Sequence, residues 1–380
     1  MRIGIFGGSF DPPHSEHQNL VEAAKKSLSL DKIFIVPAAV PPHKRGKTLS
    51  ANEHRLQMCR LAFSGIEKTE VSDFEMRVGG VSYTYLTCQY FKEKFPDSQL
   101  FWFVGTDMLR DFPSWKNPET ILSLATLAVC ARSEEEDWIE KESRAFETRF
   151  EKKFAVIDYH GKDISSTKIR VLAGAGADIS PFTGKAVAEY IERNELYKIP
   201  FAETSLMMQT DKRKAHSLRV AFLAAARAPS LKISERKAVT AALFHDCAKN
   251  LPLDSPCLSG FSAQGVPKAV VHQYAGAYLT EYLFGVEDEE ILNAVRFHTS
   301  GRAEMTPLEQ LIFLSDMLEE ERVFSGVEKL RELFWRNQTL DECMFFALKD
   351  TLSHLKEKGG EIYPLTQEAY EYYGRLTENL

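Results

Sequence analysis

The sequence predicts an α/β, doubly wound parallel-sheet domain followed by an all-helical domain, and three features carry that prediction. In the first half, short apolar runs at 2–6, 33–36, 71–76, 100–104, 127–131 and 154–158 alternate with helix-periodic stretches at 14–28, 53–65, 83–95 and 134–150. That is the pattern of strands joined by crossover helices. Beyond about residue 200 the strand pattern stops and helix periodicity takes over. Between the halves lie Pro200 and a polar stretch. A length of 380 residues suits two domains, expected at 1–198 and 209–380 with a linker at 199–208.

The first strand, Ile3 to Phe6, runs into Gly7-Gly8, and beyond Ser9 and Phe10 the apolar series Leu20, Val21, Ala24, Leu28 marks a helix. Asp11 is a candidate N-cap, with Pro12 and Pro13 suited to the first turn. Gly7 and Gly8 lack a Cβ, so a ligand's phosphates can approach the backbone and meet the free N–H groups of the helix start. His14 and His17, three apart, share one face of that turn. After the second strand, Pro41-Pro42-His43-Lys44 fixes a loop from which Lys44 can reach phosphate. After the third come Glu75, Arg77, Gly79, Ser82, Tyr83 and Thr84.

Gly105-Thr106-Asp107 ends the fourth strand, on the side where doubly wound sheets bind ligands. Trp115 stands in a Pro-flanked loop, an aromatic plate that can stack on a ring. Glu134 to Asp137 reads as a solvated helix start. Past the sixth strand, Ile164-Ser165-Ser166-Thr167-Lys168-Ile169-Arg170 places hydroxyls at another helix start with Arg170 one turn on, a second anion site.

The pair GGSFDPPHxxH and ISSTxIR resembles the HxGH nucleotidyltransferases. The likeness is closest to the bacterial nicotinate-nucleotide adenylyltransferases and covers about half the chain; Val187 to Tyr197 is similar to that family's closing helix. The resemblance implies a Rossmann-like domain that moves an adenylyl group from ATP, with Mg²⁺ on its phosphates, to nicotinate mononucleotide, giving deamido-NAD and pyrophosphate. It implies ATP contacts from Gly7, Gly8, Ser9, Phe10, His14, His17, Gly105, Asp107, Ile164, Ser165, Ser166, Thr167 and Arg170. Nicotinate mononucleotide would meet Lys44, Tyr83, Thr84 and Trp115. The acceptor phosphate is already an anion, so position and positive charge matter more than a base; His14, His17, Lys44 and Arg170 are expected to supply both. The sequence departs from the family where Glu16 replaces the glycine between the histidines. A carboxylate there would repel a triphosphate unless it turns outward or meets a cation, so its removal is expected to leave activity equal or higher. Leu86 likewise stands where an acidic residue is common. Phosphopantetheine or nicotinamide mononucleotide is the alternative acceptor.

In the second half the chemical signal is His245-Asp246. Neighbours on a helix point about 100° apart, so this pair cannot close a metal site alone. The candidate partners are His216, His272, His298 and Asp316, a set suited to dinuclear iron or another divalent transition metal. The order H…HD…H…H…D resembles the HD-superfamily phosphohydrolases. The segments HTSGR and D-x-x-E-x-x-R-V-F-x-G-V, within 205–380, are similar to the bacterial symmetrical diadenosine tetraphosphate hydrolases. That resemblance implies hydrolysis of diadenosine tetraphosphate to two ADP, with Asp246 bridging the metals and Lys249, Arg302 and Arg322 as phosphate ligands. The alternatives are a regulatory nucleotide sensor or a hydrolase of other nucleotides; the complete ligand set favours catalysis.

The rest of the composition narrows the classes. A net charge of −7 argues against a nucleic-acid binder. No apolar run is long enough to span a bilayer, and Arg2 leads directly into a core strand, so a cytoplasmic protein is expected. Cys59, Cys88, Cys130, Cys247, Cys257 and Cys343 show no CxxC spacing and read as reduced thiols. A homo-oligomer is left open.

Overall fold

The computed structural model describes residues 1–41, 49–130, 136–159, 161–162 and 164–377. The chain forms two compact units, Met1–Ile169 with Asp178–Leu196, and Arg170–Ala177 with Tyr197–Leu380. The first unit runs β1 (Arg2–Gly8), α1 (Ser15–Ser27), β2 (Lys32–Pro37), α2 (Asn52–Phe63), β3 (Thr69–Val71), α3 (Phe74–Val78), α4 (Thr84–Lys94) and β4 (Gln99–Gly105). It continues with α5 (Thr106–Asp111), α6 (Pro118–Leu124), β5 (Ala125–Cys130), α7 (Glu136–Phe150), β6 (Ala155–Ile157), α8 (Ser166–Gly174), α9 (Ser180–Thr183) and α10 (Lys185–Arg193).

The strands form one parallel sheet in the order β3-β2-β1-β4-β5-β6. The order reverses between β1 and β4, which opens a crevice at their carboxyl ends, where Gly8 and Gly105 lie. In the register, Ile5 of β1 faces Phe34 of β2 on one side and Trp102 of β4 on the other. Ile3, Ile5, Phe34, Val36, Trp102 and Val104 are buried together. Helices cover both faces of such a sheet, so its strands read as continuous apolar runs rather than alternation. The run at 71–76 is different. Only Thr69–Val71 pairs as an edge strand; after a Ser72-Asp73 turn the chain enters α3, whose Phe74 stacks on Tyr90 of α4 at 3.9 Å.

The second unit adds α11 (Ala202–Met207), α12 (Asp211–Arg227), α13 (Glu235–Phe244), α14 (Val271–Tyr282), α15 (Glu289–Arg296), α16 (Pro307–Leu318), α17 (Val327–Arg336), α18 (Asp341–Glu357) and α19 (Pro364–Thr377). Among the described residues it holds no strand. α13 from Ala238 to Phe244 and α16 from Leu308 to Ser315 are buried throughout, as helices enclosed by other helices must be. Thr210, Ser234, Asp288 and Thr306 cap α12, α13, α15 and α16 by accepting backbone N–H bonds. The stretch expected as a linker contains α11, whose Ser205 hydroxyl donates to the Leu243 carbonyl at 2.9 Å. Residues 170–177 fall in this unit because Val171 and Ala175 belong to its core. No helix among the described residues is long and apolar enough to cross a membrane.

Candidate active sites

In the first unit, His14 precedes α1 as its cap residue, and its backbone N–H donates to His17 Nδ1 at 3.1 Å. The two rings stack with centroids 3.7 Å apart. Asp11, the expected cap, is drawn elsewhere: its carboxylate accepts the Ser50 N–H at 3.1 Å, and Pro12 and Pro13 lie before the helix. His14 Nδ1 is buried with no hydrogen-bond partner among the described residues. Burial pushes His14 down to about 4, against the opposing pull of Glu16. At neutral pH His14 is therefore an uncharged imidazole with an open nitrogen, and the positive charge expected of it is not there. His17 packs edge-on against Phe10 at 5.0 Å.

The glycines before this pair serve the sheet. A Cβ on Gly7 would meet the Trp102 ring at 2.7 Å, and one on Gly8 would meet Phe10 at 3.0 Å. Ser9 is fixed by a residue that the sequence reading passed over. Arg55 of α2 is fully buried and donates to the carbonyls of Ser9 (2.9 Å), Ala38 (2.6 Å) and Ser50 (3.0 Å). An arginine on the apolar face of a helix was its only signal. At the end of β4, Asp107 folds back over Gly105, where a Cβ would come within 2.6 Å of its Oδ1.

The second motif is joined to the first by Ser166, whose hydroxyl donates to the Pro12 carbonyl at 2.9 Å, while Ser165 Oγ accepts the Lys168 N–H at 3.2 Å. Ile164 precedes this turn and Thr167 lies within it. Arg170, one turn on, is held in the second unit by a two-bond fork to Glu235 at 2.7 Å each. That fork occupies the guanidinium expected on the polyphosphate. Tyr83 and Thr84 start α4, with the Lys116 ammonium over the Tyr83 ring at 4.3 Å. Trp115 is half-buried against Phe112 at 5.4 Å. Lys44 lies outside the described residues. Glu16 does not turn to solvent, and among the described residues no cation meets it: its buried carboxylate accepts bonds from Asn19, Tyr159 and the Lys162 N–H.

In the second unit the six expected ligands converge. Their donor atoms form three overlapping triads, His216–His245–Asp246, His245–His298–Asp316 and Asp246–His272–His298, each within 4.8 Å. α12 supplies His216, the turn after α13 supplies His245 and Asp246, α14 supplies His272, the turn after α15 supplies His298, and α16 supplies Asp316. The Nδ1–H groups of His245 and His298 donate to the carbonyls of Ala242 (2.6 Å) and Val295 (2.7 Å), leaving each Nε2 as the inward acceptor. His245 Nε2, His298 Nε2 and Asp246 Oδ1 are buried without a hydrogen-bond partner among the described residues. The separations from Asp246 oxygens to the Nε2 atoms of His245, His298 and His272 are 3.4, 3.5 and 3.6 Å. Two atoms each about 2.1 Å from one ion stand roughly 3.4 Å apart at a tetrahedral-like angle. Orphaned buried acceptors at that spacing, with imidazole and carboxylate donors, fit a divalent transition metal.

The electrostatics agree. Burial would raise the Asp246 carboxyl, but His245 and His298 hold it well below the usual range. Burial pushes His245 down, and Asp246 more than reverses it, so His245 titrates above its ordinary value. Burial, with His298 and Lys249, pushes His272 down to about 2. Two further residues, not singled out from sequence, complete the surroundings. Glu319 Oε1 lies 3.1 Å from His216 Nδ1, while Asp316 Oδ1 lies 2.8 Å from its Nε2. Arg213, one turn before His216, donates to Asp246 Oδ2 at 2.7 Å. The spacing of D-x-x-E and R-x-x-H was their only trace.

Among the expected phosphate ligands, Lys249 reaches His272 Nε2 at 2.8 Å and Arg322 donates to Asp316 Oδ1 at 2.8 Å, so both border the cluster. Arg302 is committed differently. It forms a two-bond fork, both at 2.8 Å, with the fully buried Glu309, which closes the capping box of α16. A phosphate could take Arg302 only by leaving that carboxylate buried and unpaired.

Residues 5–172 match the cytidylyltransferase-like family, and residues 213–321 match the HD domain family. The chain is 31% identical to a Mycoplasma genitalium protein described as a nicotinate-nucleotide adenylyltransferase/Ap4A hydrolase, over 94% of this chain and 99% of that one. The first half is 37% identical to a nicotinate-nucleotide adenylyltransferase of Rhodopirellula baltica, over 52% of this chain and 94% of that one. Among solved structures, an HD superfamily hydrolase involved in NAD metabolism from Clostridium acetobutylicum is 30% identical, with a TM-score of 0.42, over 46% of this chain and 95% of that one.

Proposed function

The chain belongs to the family of fused nicotinate-nucleotide adenylyltransferase/Ap4A hydrolases, and from that premise we propose how each unit acts. The first unit transfers the adenylyl group of ATP, carried with Mg²⁺, to nicotinate mononucleotide. The second hydrolyses diadenosine tetraphosphate to two ADP at a divalent, dinuclear centre. One feature common to both sites supports the reading: each holds a buried imidazole nitrogen with no hydrogen-bond partner among the described residues, His14 Nδ1 in one and the Nε2 atoms of His245 and His298 in the other. Buried polar atoms are rarely left so unless a ligand meets them.

In the first site the acceptor phosphate attacks the α-phosphorus and pyrophosphate leaves. His14 and His17 lie beside the switch point, where their nitrogens can meet the phosphoryl oxygens as charge builds. Ser165 and Ser166 hold the start of α8 near the same loop for the departing polyphosphate. Trp115 and Tyr83 bracket the nicotinate end.

In the second site His216, His245, Asp246, His272, His298 and Asp316 would hold the metals, Asp246 belonging to two of the three triads. A bound divalent metal supplies Lewis acidity and an activated water. Lys249, Arg213 and Arg322 surround the carboxylates and can turn to the phosphates. With ATP and nicotinate mononucleotide as substrates, the protein would work in the cytoplasm.

The test is product analysis. Wild-type protein with ATP and nicotinate mononucleotide should release deamido-NAD and pyrophosphate; preference for nicotinamide mononucleotide or phosphopantetheine would refute the acceptor. With diadenosine tetraphosphate, ADP alone is expected. AMP plus ATP would refute the symmetrical cut, and no hydrolysis by metal-reconstituted protein would turn the second unit into a sensor.

A further inference from the structure

We propose that Glu16 is a positioning residue for ATP, holding the approach to α8 so that Ser165 and Ser166 stand by the His14–His17 pair. The proposal rests on the adenylyl-transfer reading of the first unit.

Glu16 occupies the second residue of α1, between the two histidines. A carboxylate beside a polyphosphate is unfavourable by charge alone, so its placement needs a reason. The structure supplies one. Glu16 is buried, and its carboxylate is taken up by hydrogen bonds. Oε1 accepts from Asn19 Nδ2 at 3.1 Å, and Oε2 accepts both the Tyr159 hydroxyl and the Lys162 backbone N–H, the latter at 2.7 Å. Burial and the bond to Glu16 raise the Tyr159 phenol, so it remains a donor. The opposing backbone is fitted to the carboxylate: a Cβ on Gly161 would lie 3.0 Å from Glu16 Oε2 and 3.1 Å from the Tyr159 ring. A side chain there would have to push the carboxylate or the ring aside by a few tenths of an ångström.

These bonds tie α1 to the segment just before the second motif. Ser166 Oγ, within that motif, adds a tie to the Pro12 carbonyl at 2.9 Å. Ser166 grips the loop before α1; Glu16 grips α1 itself. Together they set the start of α8 against the His14–His17 turn. Without Glu16 the residues before Ser165 lose their anchor, and the ordering that binding requires must then come from ATP. The effect should fall on ATP, whose phosphates meet α8, and not on nicotinate mononucleotide.

The experiment compares Glu16→Ala, Glu16→Gln and Tyr159→Phe in the full chain. Glu16→Ala should raise KM for ATP on the order of tenfold, the net worth of one or two hydrogen bonds. KM for nicotinate mononucleotide and kcat should stay within about twofold of wild type. Glu16→Gln keeps an acceptor for Tyr159 and Lys162 and should restore ATP binding, which a merely stabilising carboxylate or a charge effect would not. Tyr159→Phe should be intermediate, and combined with Glu16→Ala it should add nothing further, since both remove one interaction. A kcat for deamido-NAD synthesis near wild type at saturating ATP reports that the first unit of each variant is folded. Wild-type KM for ATP in Glu16→Ala, or a Gln variant as defective as Ala, overturns the proposal. If wild type itself makes no deamido-NAD, it is the reading of the unit that fails.

Discussion

Asp246→Asn is the most severe single test of the second site, because the side chain keeps its shape and loses only its charge and one acceptor. Asp246 belongs to two of the three ligand triads; without it only His245–His298–Asp316 is intact. Its two oxygens face in different directions, Oδ1 toward His298 and His272 at 3.5 and 3.6 Å, and Oδ2 toward His245 at 3.4 Å and Arg213 at 2.7 Å. An asparagine cannot serve both. With its oxygen toward Arg213, the amide NH₂ points at the imidazole nitrogens where a cation belongs; with the NH₂ toward Arg213, two donors oppose each other. Either way one metal position loses its anionic ligand. Outer-shell changes already cost 10–100-fold in metal affinity or activity, so losing an inner ligand should cost at least about 10³-fold in hydrolysis, some 4 kcal/mol of transition-state stabilisation. Metal content measured on dialysed protein should fall by at least half. The assays are elemental analysis and release of ADP from diadenosine tetraphosphate, with the thermal unfolding of the second unit as the folding control. Full metal content with activity within tenfold of wild type would show that the triads do not hold the metal.

Other perturbations separate the two sites. His17→Ala should cut deamido-NAD formation by about 10²-fold or more, losing both its own contact and the bond that orients His14, while hydrolysis is unchanged; equal loss of both activities would contradict two independent sites. Trp115→Ala should raise KM for nicotinate mononucleotide about tenfold more than KM for ATP, and the reverse order would put the loop at the other end of the site. Glu319→Gln should retain metal yet slow hydrolysis about 10–100-fold by loosening His216; unchanged turnover would show that Glu319 does not orient His216. The first unit should lose stability as pH falls from 6.5 toward 4. Over that interval the unfolded chain takes up the His14 proton and the folded chain does not, a loss of about 3 kcal/mol. His14→Gln should abolish this slope in the thermal unfolding of the first unit.

Most strands were legible because burial on both sheet faces writes apolar runs, and the six candidate metal ligands stood out because chemistry constrains residue type at each such position. The run at 71–76 was misread for the same reason: Phe74 is apolar because it stacks on Tyr90, which helix and strand can both provide. The cap of α1 was misplaced because Asp11 has a distant donor, Ser50, that local spacing cannot reveal. Arg302 illustrates the limit from the other side. A basic residue beside a motif looks like a phosphate ligand, yet its fork to Glu309 is a tertiary pairing with nothing local to announce it. Arg213, Glu319 and Arg55 were missed because each acts across helices or loops on a group far away in sequence.

Histidine carries both sites, and the surroundings decide its role each time. His14 and His272 are driven down by burial, to about 4 and about 2, so each is neutral and offers a lone pair at any physiological pH. His245 is as deeply buried, yet Asp246 beside it raises its pKa above the ordinary value against the pull of burial. Imidazole binds metal only in its neutral form, so at His245 a cation competes with a proton that Asp246 favours, and at His272 it meets no such competition.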